Sequence, residues 1–363
     1  MLSSSLRFPS FLNTFPKALF NNSAPMKPFL PHVLEPFLES GESDLYAIPV
    51  EFQTDKGHTV ELSTVYQDTH PTVFPPTKEM QQRPTVVFVH GSPGSHKDFK
   101  YMVLPLRERG VRSIAFNWPG MGYTSFDHRL QLTNSERTAF ARSLIDRLLP
   151  AFTELIFVGH SRGGENALRL AREYSGRTKA LLLINSCGFR PHKGVRPQLL
   201  IKIAARLWAL DARLQHCLAP IFHKIHNFSG LKTDNGFIAG ISTLTHSTYD
   251  FEKLRSLTDD LLKKQQQTKV FFAYSGRDHL IETEISEEFS RALGGSVLIS
   301  ATNPKEEDGE LLTKFSQLIS VKGKNGRISI FFTKERHFLQ KHQGSFMAKC
   351  VLAYVENDDS TTY

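Results

Sequence analysis

Disulfide chemistry has little to work with in this sequence. Its three cysteines, Cys187, Cys217 and Cys350, are odd in number and far apart, which is no covalent framework and suits a reducing, intracellular compartment. No run reaches the roughly 18 consecutive apolar residues of a membrane span, so the chain reads as soluble, with any membrane contact peripheral. There is also no Cys-x-x-Cys pair and no H-E-x-x-H helix. His216, Cys217, His223 and His226 are metal-ligand types lying close together, but without such a pattern they read as part of an ordinary helix, and no metal or cofactor is expected. The net charge is +8, yet no nucleic-acid module accompanies the basic residues, which excludes nucleic acid as an expected partner. Acidic residues are missing from the first 34 positions, where Arg7, Lys17 and Lys27 stand among Ser3, Ser4 and Ser5. That composition is one of a mitochondrial transit peptide, although Pro9 and Pro16 interrupt an amphipathic helix; the alternative is a disordered or surface-wrapping arm in a cytoplasmic protein.

What is present is enough for a substantial core: 363 residues, 40% of them hydrophobic and 11% aromatic. Tyr46 to Phe52 and Val60 to Tyr66 read as an antiparallel pair joined through Asp55-Lys56-Gly57, followed by a loop at Pro71, Pro75 and Pro76. Thr85 to Val89, Arg112 to Asn117, Leu155 to Val158, Ala180 to Asn185, Val270 to Tyr274 and Ile328 to Phe332 are continuously apolar rather than alternating. Such strands are covered on both faces, hence belong to a mainly parallel sheet. Helical spacing over 99–109, 135–149 and 165–174 fills the gaps, so the expected fold class is a doubly wound α/β sheet. The rhythm breaks over 190–266, a stretch with helical periodicity and no convincing strand, read as a cap. There Leu199, Leu200, Ile203 and Leu207 are expected to face the sheet or a pocket, with Lys202 and Arg206 on other faces. This segment holds 12 Lys/Arg against 6 Asp/Glu, a basic surface that is solvated or greets anionic groups. Residues 302–326 read as a polar surface excursion. The expected division is an arm at 1–40, a core at 41–189 and 267–356, the cap at 190–266 and an acidic tail at 357–363.

The stretch richest in chemistry is Gly159-His160-Ser161-Arg162-Gly163. By itself G-x-S-x-G is weak, but here a strand-like run precedes it and a helical pattern follows, the context of a nucleophile elbow. A serine hydroxyl needs a base to take its proton, and the base needs an orienting acid, both on loops at the carboxyl edge of the same sheet. Asp278 follows a strand in Tyr274-Ser275-Gly276-Arg277-Asp278, with Glu282 and Glu284 as alternatives further on. His337 lies five residues past Phe332, with His342 as second choice; His279 and His160 are less well placed. The order Ser, Asp, His suits this architecture. For the oxyanion, the backbone N–H of Arg162 and that of Ser92, in His90-Gly91-Ser92-Pro93-Gly94-Ser95, are the candidate donors. His90 is read as structural.

Taken together, these segments, with Asn117-x-Pro119-Gly120-x-Gly122, resemble the α/β-hydrolase fold family over about residues 45–356, and within it a nematode branch often described as of unknown function. The resemblance implies an α/β-hydrolase sheet with a helical cap. Two positions depart from the usual pattern: Asn117 stands where Asp is common, and Arg336 where Gly usually precedes the base. Epoxide hydrolases and haloalkane dehalogenases of this family need a carboxylate at the elbow, and Ser161 occupies it here. The function expected is therefore serine hydrolysis of a carboxylic ester through an acyl-enzyme on Ser161. Alternatives are an acyl-thioester hydrolase or acyltransferase using an anionic acyl donor, and a non-catalytic ligand-binding homologue.

Overall fold

A computed structural model describes residues 35–70, 83–264, 268–300, 304–320 and 326–356. Most of the expected N-terminal arm, the loop at Pro71, Pro75 and Pro76, and the acidic tail lie outside the described residues. The strands are β1 (Glu35–Pro36), β2 (Leu45–Gln53), β3 (Thr59–Asp68), β4 (Thr85–Val89), β5 (Ser113–Phe116), β6 (Leu155–His160), β7 (Thr178–Ile184), β8 (Lys269–Ser275), β9 (Ser296–Ser300) and β10 (Arg327–Phe332). They form one sheet in the order β1-β2-β3-β5-β4-β6-β7-β8-β10-β9. β2 and β3 pair antiparallel, with Val50 opposite Leu62, and β3 pairs antiparallel with β5. From β5 onward the neighbours are parallel, for example Val87 beside Phe157 in β4 and β6.

Period-two alternation within fully buried strands builds a core on each side of the sheet. Val87, Val89, Phe157, Leu181, Leu183 and Phe272 face one layer, whereas Val86, Phe88, Ile156, Val158, Leu182 and Phe271 face the other. The helices in chain order are α1 (Lys100–Glu108), α2 (Asn134–Leu148), α3 (Gly163–Glu173), α4 (Gln198–Leu210), α5 (Ala212–Phe228), α6 (Gly236–Ser247), α7 (Phe251–Lys264), α8 (Thr283–Leu293), α9 (Pro304–Ser320), α10 (Leu339–His342) and α11 (Gly344–Glu356). Helices α2, α3, α7 and α8 cover the first layer, and α1, α9 and α11 the second. Sheet order reverses at β4, with β5 on one side of it and β6 on the other, so a crevice is expected at the carboxyl edge there.

Between β7 and β8 the chain is helical among the described residues. Helices α4 and α5 pack on α6: the Trp208 ring stacks on Phe222 at 5.5 Å and lies against Phe237. Helix α7 instead returns to the sheet layer through Leu254, Leu257 and Leu261. Two expectations fail here and downstream. Leu199, Leu200, Ile203 and Leu207 do not face inward but are exposed, Leu199 by 69%. Helix α4 is apolar almost all round, and it buries the side carrying Ala205 and Trp208, because the bare backbone of Gly240 leaves room for the indole. Residues 302–326 are likewise no mere surface excursion. They contain α9, whose Leu311, Phe315 and Ile319 recur every four residues and pack into the second core layer, Phe315 edge-on to Phe271 at 5.0 Å. Edge strand β9 precedes it, with Val297 and Ile299 exposed.

Candidate active site

Four chain crossings at the carboxyl edge of the sheet converge on one point. Strand β6 runs into Ser161, whose φ of 51° lies in the left-handed region that non-glycine residues rarely adopt. The turn is held by Ser161 N–H donating to Ile184 O and Gly164 N–H donating to Ser161 O, both at 3.0 Å. A Cβ on Gly163 would collide with the carbonyl oxygens of Val89 and His90, so only glycine lets α3 start this close to β4.

His337, in the loop after β10, places Nε2 3.0 Å from Ser161 Oγ and Nδ1 2.7 Å from Asp278 Oδ2. The other Asp278 oxygen accepts the backbone N–H groups of Leu280 and Ile281 at 2.8 and 3.0 Å. Both side chains are almost fully buried. Burial pushes the Asp278 carboxyl up, but the neighbouring His337 and the two amides outweigh it and hold the group below the usual carboxylate range. The acid and base loops are tied together by Arg277 N–H donating to Glu335 O at 2.9 Å. Gly276 lets them touch: a Cβ there would strike the Thr333 carbonyl.

The alternatives are engaged elsewhere. Glu282 accepts Lys193 N–H and pairs with Arg196, while Glu284 sits in the first turn of α8. His342 bonds Glu335 at 3.2 Å. His160 Nε2 donates to the His337 carbonyl at 3.1 Å and is pushed down to about 3 by burial, hence neutral. The His279 ring lies edge-on to His337 at 6.1 Å. His90 accepts Trp118 N–H on Nε2, which puts its own proton on Nδ1, donated to Gly91 O at 2.7 Å. Burial pushes that imidazole down to about 4. Of the histidines on α5, His223 bonds Thr233 O and His226 bonds Phe222 O. Among the described residues no three His, Cys, Asp or Glu are grouped to hold a metal ion.

Neither Ser92 N–H nor Arg162 N–H donates to another described residue. The side chains of both residues reach helix α6: Ser92 Oγ donates to Ser242 Oγ at 3.1 Å, and Arg162 Nε donates to Thr245 O at 3.4 Å. The buried Arg162 guanidinium also pairs with Glu165 at 2.5 Å, bonds Asn134 Oδ1 at 2.6 Å and lies 3.9 Å over the Tyr249 ring. That fixes the backbone of the residue following the serine. Sequence reading missed this network; the Arg-x-x-Glu spacing at the start of α3 was the available signal. It also missed Asn185, with φ of 40°, whose side chain donates to His337 O at 2.8 Å and to Ser275 Oγ at 2.9 Å. Ser275 Oγ in turn donates to Arg336 O at 2.9 Å. These bonds hold the base loop in place where glycine is replaced by Arg336. Asn117 is a brace: its Oδ1 accepts His96 N–H at 2.9 Å. Beside the Ser92 loop a cavity of about 600 Å³ opens, lined by Pro93, Tyr123, Leu231, Ile238 and Phe338; Ser161 lies outside its lining.

Residues 42–356 match the family described as "Alpha/beta hydrolase of unknown function (DUF1057)". The chain belongs to that family. It is 30% identical over 310 residues to the Caenorhabditis elegans protein F35H12.5, covering 83% of this chain and 85% of that one. A shorter match, 26% over 129 residues, joins this alpha/beta hydrolase to pig bifunctional epoxide hydrolase 2, spanning 34% of this chain and 22% of the pig enzyme. Among solved structures, a thermophilic esterase from Thermogutta terrifontis superposes with a TM-score of 0.54 at 13% identity, covering 85% of this chain and 98% of that one. At that identity the likeness carries the fold alone. No helix of the described residues is long and apolar enough to cross a membrane.

Proposed function

We propose that this hydrolase-family chain is a serine hydrolase that cleaves a carboxylic ester through an acyl-enzyme on Ser161. The observation that carries the reading is the continuous chain from Ser161 Oγ through His337 to Asp278, at 3.0 and 2.7 Å. In the cycle, Ser161 Oγ attacks the ester carbonyl carbon while His337 Nε2 takes the hydroxyl proton. The resulting oxyanion accepts the Ser92 and Arg162 N–H groups. Collapse expels the alcohol, which receives its proton from His337. Water then attacks the acyl-enzyme, His337 again acting as base, and releases the acid with Ser161 regenerated. Asp278, kept ionised by its amide donors, holds the imidazole tautomer that presents Nε2 to the serine. The cycle consumes one ester and one water, releases an alcohol and an acid, and calls for no cofactor. Epoxide opening through an alkyl-enzyme ester would require a carboxylate where Ser161 stands, so the partial likeness to an epoxide hydrolase does not carry over as chemistry. Helices α4–α6 act as the cap, reaching the Ser92 loop and the elbow through Ser242 and Thr245.

A fluorophosphonate probe tests nucleophile activation without knowledge of the substrate. Wild-type protein should be labelled and Ser161→Ala should not. Labelling that survives in the alanine variant moves the nucleophile elsewhere, and an unlabelled wild type overturns the reading.

A further inference from the structure

Fourteen large hydrophobic side chains are exposed among the described residues, and eight of them lie on two consecutive helices: Leu199, Leu200, Ile203, Leu207 and Leu210 on α4, and Ile221, Ile225 and Phe228 on α5. Leu210 is 71% exposed and Phe228 96%. Each helix buries its opposite side on α6, through Trp208 from α4 and Phe222 from α5. The two outward faces therefore form one outer layer. Eight large apolar side chains gathered on one layer mark an interaction site rather than scattered exposure.

Its flanking charges say what it would meet. Helices α4 and α5 carry Lys202, Arg206, Arg213 and Lys224, and the one acid between Gln198 and Phe228 is Asp211 in the turn joining them. None of these four cations makes an ion pair among the described residues. Lys202 and Arg206 also line a cavity of about 630 Å³ with Lys56, His58, His128 and Arg129, and no Asp or Glu lines it. A second copy seated on this face by a two-fold axis would bring like charges together. The N-terminal arm, without an acid in its first 34 residues, has the same sign. An anionic lipid surface complements both features, since apolar side chains enter the acyl boundary while Lys and Arg meet phosphates.

We propose that the outer face of α4 and α5 docks this protein on anionic phospholipid membranes, with the basic cavity beside α4 receiving lipid phosphates. Docked in this way, α4 and α5 lie on the membrane and α6 lies beneath them, its Ser242 and Thr245 touching the Ser92 loop and Arg162. The proposal does not depend on the chemistry of Ser161.

The test is flotation of the full chain, as Ser161→Ala to prevent hydrolysis, with vesicles of phosphatidylcholine alone or mixed with phosphatidylserine. Binding is expected to the mixed vesicles and to weaken as salt shortens the Debye length from about 10 Å at 0.1 M to about 3 Å at 1 M. Leu200→Glu with Ile203→Glu should lower the bound fraction about tenfold or more, because each change places a carboxylate at the acyl boundary. Lys202→Gln with Arg206→Gln should lower it and flatten the salt dependence. All four positions are exposed; should the glutamate pair unfold early in a thermal melt, the glutamine pair decides. Four results overturn the proposal. The mixed vesicles fail to bind, or both pairs of substitutions leave binding intact. Sedimentation shows a wild-type dimer that the glutamate pair dissociates, assigning the face to self-association. Or Arg7→Gln, Lys17→Gln and Lys27→Gln together abolish binding that the cap substitutions spare, assigning it to the arm.

Discussion

Acidification should unfold this protein well before its carboxylates protonate, because three buried imidazoles around the candidate site are held neutral. His90, His160 and His192 are each less than 5% exposed, and burial pushes them down to about 4, about 3 and about 4 respectively. An unfolded imidazole protonates near pH 6.5. Unfolding therefore takes up protons throughout the interval between those values and 6.5. The stabilising contribution is complete above about pH 7.5 and is lost as pH falls through 6.5 towards 4. At pH 5 each histidine has forfeited about 2 kcal/mol, so the three together approach about 6 kcal/mol, against a total stability of about 5–15 kcal/mol for a native protein. Trp118, buried and donating its indole N–H to His90 O at 2.9 Å, supplies the fluorescence signal for urea unfolding between pH 8 and 5. The midpoint should hold steady above about pH 7.5 and then fall, with proton uptake on unfolding of at least about three, since burial also holds His246 down. His192→Gln can keep the bonds to Leu280 O and the Tyr249 hydroxyl, and should reduce that uptake by about one proton. A midpoint flat from pH 7.5 to 5, or an uptake untouched by His192→Gln, would refute the reasoning.

Two substitutions test separate parts of the architecture. Asp278→Asn should leave the fold intact, since the side-chain oxygen still accepts Leu280 and Ile281 N–H, but its amide would force the wrong His337 tautomer; ester turnover should drop by about 10³–10⁴-fold, and near-normal kcat would sink the assignment. Phe315→Ala should cost about 3–5 kcal/mol in chemical unfolding, because its ring is wholly buried between Phe271 and Tyr354; a loss below about 1 kcal/mol would return α9 to the surface.

Where a residue's surroundings are set by its chain neighbours, sequence was a sufficient guide. Continuous apolar runs located β4, β6, β7, β8 and β10, and parallel strands deliver their loops to one edge, so the residues just past β6, β8 and β10 were bound to be close. That is why Ser161, Asp278 and His337 could be named before their distances were known. The β9 strand escaped because an edge strand of five residues with alternating exposure carries half the apolar signal of a central one. Helix α9 is polar on average, which masks the core-facing spacing of Leu311, Phe315 and Ile319.

The supporting residues around the site were beyond reach for a different reason. Asn185 and His337 are separated by 152 positions, and Arg162 and Thr245 by 83; nothing local marks an asparagine as the brace of a distant loop. The same holds for α4. A helix with Leu199, Leu200, Ile203 and Leu207 on one side and Ile201, Ala205 and Trp208 on the other has two candidate inner faces, and hydrophobicity favours the aliphatic one. The choice is made by α6, where Gly240 leaves a slot that the Trp208 ring fills. Burying one indole there puts the leucines outside together with Lys202 and Arg206, on the same surface that Arg213 and Lys224 flank from α5. A packing decision at one glycine thus sets the apolar and basic character of the outer face of α4 and α5.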